Sequence, residues 1–213
     1  MNRIRAALSL IVLSASAAQA AVITPLTRAQ FQTAVSSGTI GSQNFDGLAN
    51  GTVLSTLNGV TYGASAGSPI VTSAFLTTTT PNGLGSTSIG YFLSSETGTF
   101  SFASSISAFA VDVNTFATTT GAYTATLNTG DVANSLPLIF PNRSTGEFIG
   151  FVTDAPFNSV SIRATTGFSY TLDTLVYGSA GAVTGGVPVP EPASLALLGA
   201  GLLGSILLWR KRA

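Results

Sequence analysis

Acidic residues are the first candidates for chemistry in this chain, because carboxylates act as acids, bases, nucleophiles and metal ligands. Between residues 21 and 190 there are seven of them, spread along the chain. A glycosidase needs two carboxylates at a defined separation, whereas Asp131 and Asp154 stand at turn signals, where Asp is expected for structural reasons. The chain has no histidine and no cysteine, which excludes serine–histidine catalysis, cysteine nucleophiles and histidine-ligated zinc. The sequence therefore predicts a protein that is not an enzyme.

A structural calcium site is a second interpretation of the acids, since oxygen ligands from separate loops suffice to hold this ion. Asp46 and Asp173 end or edge the first and last predicted strands, which often lie side by side in sandwiches. Asp112 and Asn114 share one face of another predicted strand. Turn capping and surface solvation explain the same residues without an ion. Calcium at Asp46 and Asp173 thus stays one of two alternatives, and no other cofactor is expected.

Tyrosines are the remaining candidates, because their rings can stack on sugar rings in a carbohydrate-binding groove. Tyr62 and Tyr123 are the two that we select for carbohydrate contact, with Tyr91 and Tyr170 as further candidates. Tyrosines at alternating strand positions also occur in the core or at its rim. The pattern leaves both interpretations open.

Strands must position all of these residues, because apolar side chains alternate with Ser and Thr over most of the chain. Roughly nine or ten short strands at eight-to-twelve-residue spacing indicate an all-β fold, an antiparallel two-sheet β-sandwich or jelly roll over residues 21–178. A bend at Ser104–Ser105 separates two of these strands within residues 98–114. A capping box at Thr27 and Gln30 predicts a short helix near residues 27–36. The residues expected in the core are Phe100, Phe102, Phe109, Val111, Phe148, Phe151 and Ile162.

The charge of the same segment is low and negative. Residues 21–190 contain three basic and seven acidic residues, and the difference, 3 − 7, gives a formal net charge of −4. No basic patch exists to neutralise phosphates, so nucleic acid is not expected as a partner.

The N-terminus has the order of a secretory signal peptide. Arg3 and Arg5 precede an apolar stretch, and Ala18 and Ala20 form an A-x-A cleavage site. The apolar stretch is about 12 residues, too short to span a hydrocarbon core of about 30 Å. We expect a signal helix over residues 1–20, export by the general secretion machinery, and removal of this segment.

The C-terminus has the order of a membrane anchor. Residues 179–189 are rich in Gly and Pro and indicate a flexible linker. Residues 193–209 carry no charge and would form a transmembrane helix about 25 Å long. Arg210, Lys211 and Arg212 follow as a positive stop signal on the cytoplasmic side. The sequence therefore predicts an exported domain tethered by one span.

Membrane physics does not explain the motif Pro190-Glu191-Pro192 that directly precedes this span. Together with the Gly-rich apolar segment and the basic end, residues 190–213 resemble the PEP-CTERM sorting signal of Gram-negative bacteria. The resemblance implies that an exosortase, a membrane protease, cuts near the motif after transient anchoring in the inner membrane. It also implies a final place at the cell surface or in the extracellular matrix.

The domain also resembles the β-sandwich of such proteins, through segments that include Phe45-Asp46-Gly47 and the closing Leu172-Asp173-Thr174. Relatives often have two adjacent acids in the closing segment, where this chain has Thr174 after Asp173. Two functions follow as hypotheses. One is a structural or interaction protein of exopolysaccharide-associated biofilm or floc, and the alternative is a lectin-like or adhesin module that binds carbohydrate.

Overall fold

Strands account for most of the chain in the computed structural model, which describes residues 22–115, 122–141, 145–166 and 168–181. These residues contain one helix, α1 (Arg28–Val35), and twelve strands. The chain divides into two units, Met1–Gly181 and Ala182–Ala213, and all of the described residues belong to the first. The strands are β1 (Val22–Ile23), β2 (Thr39–Gln43), β3 (Thr56–Leu57), β4 (Val60–Ala64), β5 (Pro69–Thr72), β6 (Gly83–Ser86), β7 (Thr97–Thr115), β8 (Ala122–Leu127), β9 (Val132–Asn134), β10 (Leu136–Ile139), β11 (Thr145–Thr166) and β12 (Tyr170–Ser179).

All twelve strands join one hydrogen-bonded sheet. Its order is β1, β9, β8, β11, β7, β12, β6, β5, with β10 added to β11, β2 added to β12, and β4, which carries β3, added to β7. The pair β1–β9 is parallel and every other pair is antiparallel. The prediction of a β fold with one short helix is confirmed. The two separate antiparallel sheets of the expected sandwich are not confirmed, since the described strands form one large mixed sheet.

The long strands β7 and β11 bend sharply and thereby fold this sheet over. The rings of Phe100 and Phe109 lie 5.7 Å apart, although nine residues of straight strand span about 30 Å. Phe151 and Phe157 on β11 are 5.6 Å apart, and shifts in strand register accompany that bend. The bend expected at Ser104–Ser105 is therefore real. The expectation of two separate strands there is wrong, since β7 continues through the bend as one bulged strand.

The helix α1 begins as its sequence predicts. The Thr27 side chain accepts a hydrogen bond from the Gln30 backbone N–H, and the Gln30 side chain accepts one from the Thr27 N–H. Phe31 is buried and meets the ring of Phe148 edge-on at 6.2 Å. The helix thus covers the face of the sheet that points away from the main core.

The core has a large part and a small one. All seven residues expected to be buried are buried. Six of them lie in the large cluster between the two halves of the sheet, and Phe148 joins Phe31, Ala108 and Ala110 beneath α1. Because neighbouring residues of a strand point to opposite faces, Phe109 and Val111 of β7 face the large cluster while Ala108 and Ala110 face α1. Both faces of β7 are therefore covered at this point.

Residues 87–94 form no strand, although they include β-branched and aromatic residues. β6 ends at Ser86, and Gly90 has a φ of 87°, a conformation that glycine adopts readily and other residues rarely. Beyond it, Phe92 alone pairs, through an isolated antiparallel bridge with Tyr170. Turn geometry at Gly90 overrides the β propensity of the residues around it.

Candidate functional site

The two acids selected for calcium, Asp46 and Asp173, both hold the same loop, residues 73–82 between β5 and β6. Asp173 is fully buried, and its carboxylate accepts hydrogen bonds from the Thr79 backbone N–H at 2.8 Å and from the Thr79 hydroxyl at 3.1 Å. Asp46 accepts a hydrogen bond from the Asn82 N–H at 2.9 Å. Both acids therefore fix the backbone of this loop. Calcium binding at Asp46 and Asp173 stays a prediction.

Asp112 is a second buried acid and lies opposite Asp173 in the pairing of β7 with β12. Its Oδ1 forms an ion pair with the Arg28 guanidinium at the start of α1. The same guanidinium lies 4.7 Å from the centre of the Phe148 ring, a cation–π contact. The pair was not predicted from the sequence. The one indication in the sequence was the carboxylate of Asp112 within the apolar segment Ala110–Val113, because a buried charge requires a partner.

Asn114 and Thr171 extend these acids into a polar strip, which we define as Asp112, Asn114, Thr171 and Asp173. All four are buried, and the strand register pairs Asp112 with Asp173 and Asn114 with Thr171. Asn114 Oδ1 accepts a hydrogen bond from the Thr78 hydroxyl at 3.3 Å. Asp112 Oδ2, Asn114 Nδ2 and Thr171 Oγ1 have no hydrogen-bond partner among the described residues. Buried polar groups without partners cost free energy, so the strip is the least satisfied part of the described interior.

Thr174 follows the strip at a bulge in β12 and is conformationally strained. Its φ is 47°, a left-handed value that is unusual for a β-branched residue. Its backbone N–H donates to Asp173 Oδ1 at 2.7 Å. Its side chain acts to lower the pKa of the nearby Asp112 carboxyl. The distance and angle criteria of a hydrogen bond are not met between Thr174 Oγ1 and any described atom. Beside it, an open cleft of about 320 Å³ is lined by Ser42, Gln43, Asn44, Thr79, Thr174 and Leu175.

Burial dominates the electrostatics of the three interior carboxyls. It raises the pKa of Asp173 to about 7. Hydrogen bonds from Thr79 and Thr174 lower this pKa, and the charge of Asp112 raises it further. Burial also raises the pKa of Asp112, although Arg28 acts in the opposite direction. Glu147 on β11 is 1% exposed. Burial raises its pKa to about 7, although a hydrogen bond with the Ser135 side chain acts in the opposite direction. Burial therefore acts on all three carboxyls in favour of the protonated form.

A pH-dependent stability follows from these pKa values. In the unfolded chain Asp and Glu titrate near pH 4, whereas Asp173 and Glu147 titrate at about 7 in the folded domain. Between these values the folded state holds more protons, so the free energy of unfolding decreases as pH rises from about 4 to 7, by up to about 1.4 kcal/mol per pH unit for each proton. Urea midpoints at about pH 5 and pH 7.5 measure the decrease.

Glu147→Gln removes one of the titrations and should flatten this pH dependence. Asp154→Asn is the matched control, because it removes one carboxylate from the same strand at an exposed position. Equal slopes in Glu147→Gln and the unsubstituted chain would contradict the assignment of the titration to Glu147.

The tyrosines selected for carbohydrate contact lie in the core. Tyr62 is 4% exposed and meets Phe45 and Phe100 edge-on at 5.9 and 5.8 Å. Tyr123 is 1% exposed and lies 5.2 Å from the ring of Tyr170, which is also buried. Burial raises the pKa of all three hydroxyls above the ordinary range. Neither Tyr62 nor Tyr123 presents a ring face to a saccharide, so their selection is corrected.

The terminal sites lie outside the described residues. These are the signal-cleavage residues Ala18 and Ala20, the motif Pro190-Glu191-Pro192, and the stop signal Arg210-Lys211-Arg212. The same holds for the transmembrane helix expected over residues 193–209. Within the ranges that the structure does describe, no helix is long and apolar enough to cross a membrane. Those ranges also contain no group of three or more Asp or Glu residues arranged to hold a metal ion.

Comparison with known families identifies the C-terminal segment. The PEP-CTERM protein-sorting motif matches residues 188–212, a range that contains Pro190-Glu191-Pro192 and the basic end. The resemblance seen in the sequence is thereby confirmed. The motif implies export, a transient membrane anchor before cleavage, and an exosortase as the processing partner.

Curated proteins and solved structures add little to this result. No curated protein matches the chain significantly. The catalytic unit of a GH87 α-1,3-glucanase from Streptomyces thermodiastaticus is 11% identical over 66% of this chain, which spans only 29% of that unit, with a TM-score of 0.38. One mutant of a family 29 carbohydrate-binding module is 12% identical over 66% of this chain and 88% of its own, with a TM-score of 0.32. A second mutant, of a module of the same family, is 11% identical over 71% of this chain and 100% of its own, also with a TM-score of 0.32. Likenesses this weak transfer neither fold nor function.

Proposed function

Since this chain carries a PEP-CTERM sorting motif, we propose that its β domain is cargo: an exported, non-catalytic protein that acts at the cell surface or in the extracellular matrix. The observation that carries the proposal is the position of the motif. It begins at residue 188, a few residues after Gly181, where the first unit of the chain ends. Removal of the motif by a protease would therefore leave the first unit whole.

The chemistry of the domain supports a non-catalytic role. Residues 21–190 lack histidine, cysteine and lysine, and with them most general bases and nucleophiles. The interior acids Asp112 and Asp173 are engaged with Arg28 and Thr79. Their hydrogen bonds fix α1 and the loop 73–82 to the sheet, which is a structural use of charge.

The surface chemistry supports a role among extracellular polymers. The domain is rich in Ser and Thr and carries a formal charge of −4 over residues 21–190, which favours solubility without attraction to polyanions. We propose that the processed domain is a structural or interaction component of an exopolysaccharide-associated biofilm or floc. The general secretion machinery delivers it, and the exosortase releases it from the inner membrane.

Cell fractionation with and without the exosortase tests this function. In cells that possess the exosortase, we expect a shortened chain at the surface or in the matrix. In otherwise identical cells that lack it, we expect the longer chain in the inner-membrane fraction, because the anchor is not removed. An unchanged distribution in the two strains would contradict the proposal, as would recovery of the chain from the cytoplasm.

A further inference from the structure

The segment between Asp46 and Glu96 carries no charged side chain at all. It runs from Gly47 to Ser95 and consists of Ser, Thr, Gly, Asn, Pro, Ala and apolar residues with two tyrosines. Charged residues usually supply much of a protein surface. A surface built from this segment has hydroxyl and amide groups for hydrogen bonds but no ion to attract a charged partner.

Two aromatic rings from this segment stack at the surface. Phe75 and Tyr91 lie with ring centroids 5.0 Å apart and planes inclined by 23°, and both residues are partly exposed. The next residue, Phe92, is fully buried and stacks on Tyr170 inside the core. Tyr91, directly before it, is partly exposed.

Backbone geometry holds the two rings together. The Thr72 hydroxyl accepts a hydrogen bond from the Ala74 N–H at 3.1 Å and turns the chain after β5. Gly90 provides the turn on the other side, where a Cβ would lie 3.5 Å from Thr72 Oγ1 and 3.8 Å from Ala74 Cβ. The Phe92 N–H then bonds the Tyr170 carbonyl at 2.9 Å. The backbone on both sides of the ring pair is therefore held in place before any ligand arrives, which lowers the entropic cost of binding.

An open cleft of about 370 Å³ adjoins the Phe75 ring. Leu76 in its wall is 63% exposed, and Ile89 and Leu93 on either side of Tyr91 are 46% and 40% exposed. Such a mixture of apolar surface and hydroxyl groups is typical of a site for a small amphipathic ligand. The cleft is lined by Ser73, Ala74, Phe75, Leu76, Thr80 and Pro81 among others.

We propose that Phe75 and Tyr91 form an aromatic platform for a neutral saccharide. A pyranose ring has an apolar C–H face that an aromatic ring can cover, and its hydroxyls can bond to those of Ser73 and Thr80 at the cleft. A polyanion would require basic side chains, and the segment contains none. The proposal rests on the proposed function, since it names the class of extracellular polymer that the exported domain meets.

Affinity electrophoresis of the chain released by its producing cells tests the platform. The probes are amylose, cellulose derivatives and galactomannan as neutral polysaccharides, with alginate and hyaluronan as anionic ones. We expect retardation by at least one neutral polysaccharide, with little change between low salt and about 0.5 M salt because no charge is involved. Retardation by the anionic polymers alone, by none of the probes, or only at low salt would overturn the proposal.

Variants assign the binding to the two rings. Phe75→Ala and Tyr91→Ala should each weaken binding about tenfold, the same order as the loss of an aromatic ring stacked on a nucleobase. Tyr91→Phe keeps the ring and should keep most of the binding, while an unchanged melting temperature shows that the fold is intact. Phe168→Ala is the matched control, because Phe168 is 36% exposed and lies outside the segment. If both alanine variants bind as strongly as the unsubstituted chain, the two rings are not the binding site and the proposal is overturned.

The outcome is separable from that of the sorting proposal. A released, shortened chain that binds no polysaccharide overturns the platform and leaves the sorting proposal intact. A chain that stays uncut overturns the sorting proposal, and the same electrophoresis on chain extracted with detergent still decides the platform.

Discussion

Phe151→Asp should abolish folding of the β domain. Phe151 is fully buried where the two halves of the sheet meet, with ring centroids 5.6 Å from both Phe109 and Phe157. Truncating a buried Phe costs about 3–5 kcal/mol, and a carboxylate left unpaired in the interior adds a desolvation penalty. Domains of this size are stable by about 5–15 kcal/mol, so the sum is comparable with the whole stability.

The measurement is a thermal melt followed by circular dichroism. We expect the substituted chain to show no cooperative transition, whereas the unsubstituted chain melts cooperatively. Ala155→Asp is the matched control, because it places the same carboxylate on the same strand at an exposed position and should melt like the unsubstituted chain. A cooperative melt of Phe151→Asp within a few degrees of that of the control would contradict the assignment of this residue to the core.

Replacing Pro190-Glu191-Pro192 by three alanines should block processing. Proline lacks a backbone donor, and the residue before a proline disfavours the helical conformation. We therefore expect the motif to keep the chain extended outside the bilayer, where a protease active site can bind it as a strand. Three alanines favour helix instead and remove the side chains that define the motif. The uncut chain should then remain in the inner membrane, and the released fraction should fall to background.

A second alanine triplet provides the control for this prediction. Replacing Thr184, Gly185 and Gly186 changes the same number of residues just before the matched range 188–212 and should leave processing unaffected. Release of the Pro190-Glu191-Pro192 variant at the level of this control would contradict the role of the motif.

The sequence predicts the local features of the fold well. The alternation of Phe100 and Phe102 with small polar residues identified strand and core correctly, because side chains of a strand alternate between its faces. The capping box at Thr27 and Gln30 also formed as predicted, because both of its hydrogen bonds join residues three positions apart. Short-range geometry determines features of this kind, and short-range geometry can be read from the chain.

Long-range features were not predictable in the same way. A Ser-rich bend such as Ser104–Ser105 is compatible with two strands or with one bulged strand, and only the partner strand decides between them. The parallel pair β1–β9 joins residues 22–23 to residues 132–133, and nothing in a two-residue strand specifies that register.

The candidate sites divide in the same way, into local features that the sequence predicts and long-range features that it does not. The sorting motif is contiguous, so its residue types and spacing identify it directly. Tyr62 and Tyr91 each have a glycine as a direct neighbour, yet one is buried and the other partly exposed. Their exposure depends on which face of the folded sheet each ring meets. Arg28 and Asp112 are 84 residues apart in sequence, and only the docking of α1 on the sheet brings them together.

The intact mass of the protein recovered from the extracellular matrix tests the central claim most directly, because it determines both termini at once. Removal of the signal peptide predicts a chain that starts at Ala21, and removal of the sorting signal predicts an end near Pro192, without Trp209 and the basic cluster. A recovered chain whose mass still includes Trp209, Arg210, Lys211 and Arg212 would contradict the account.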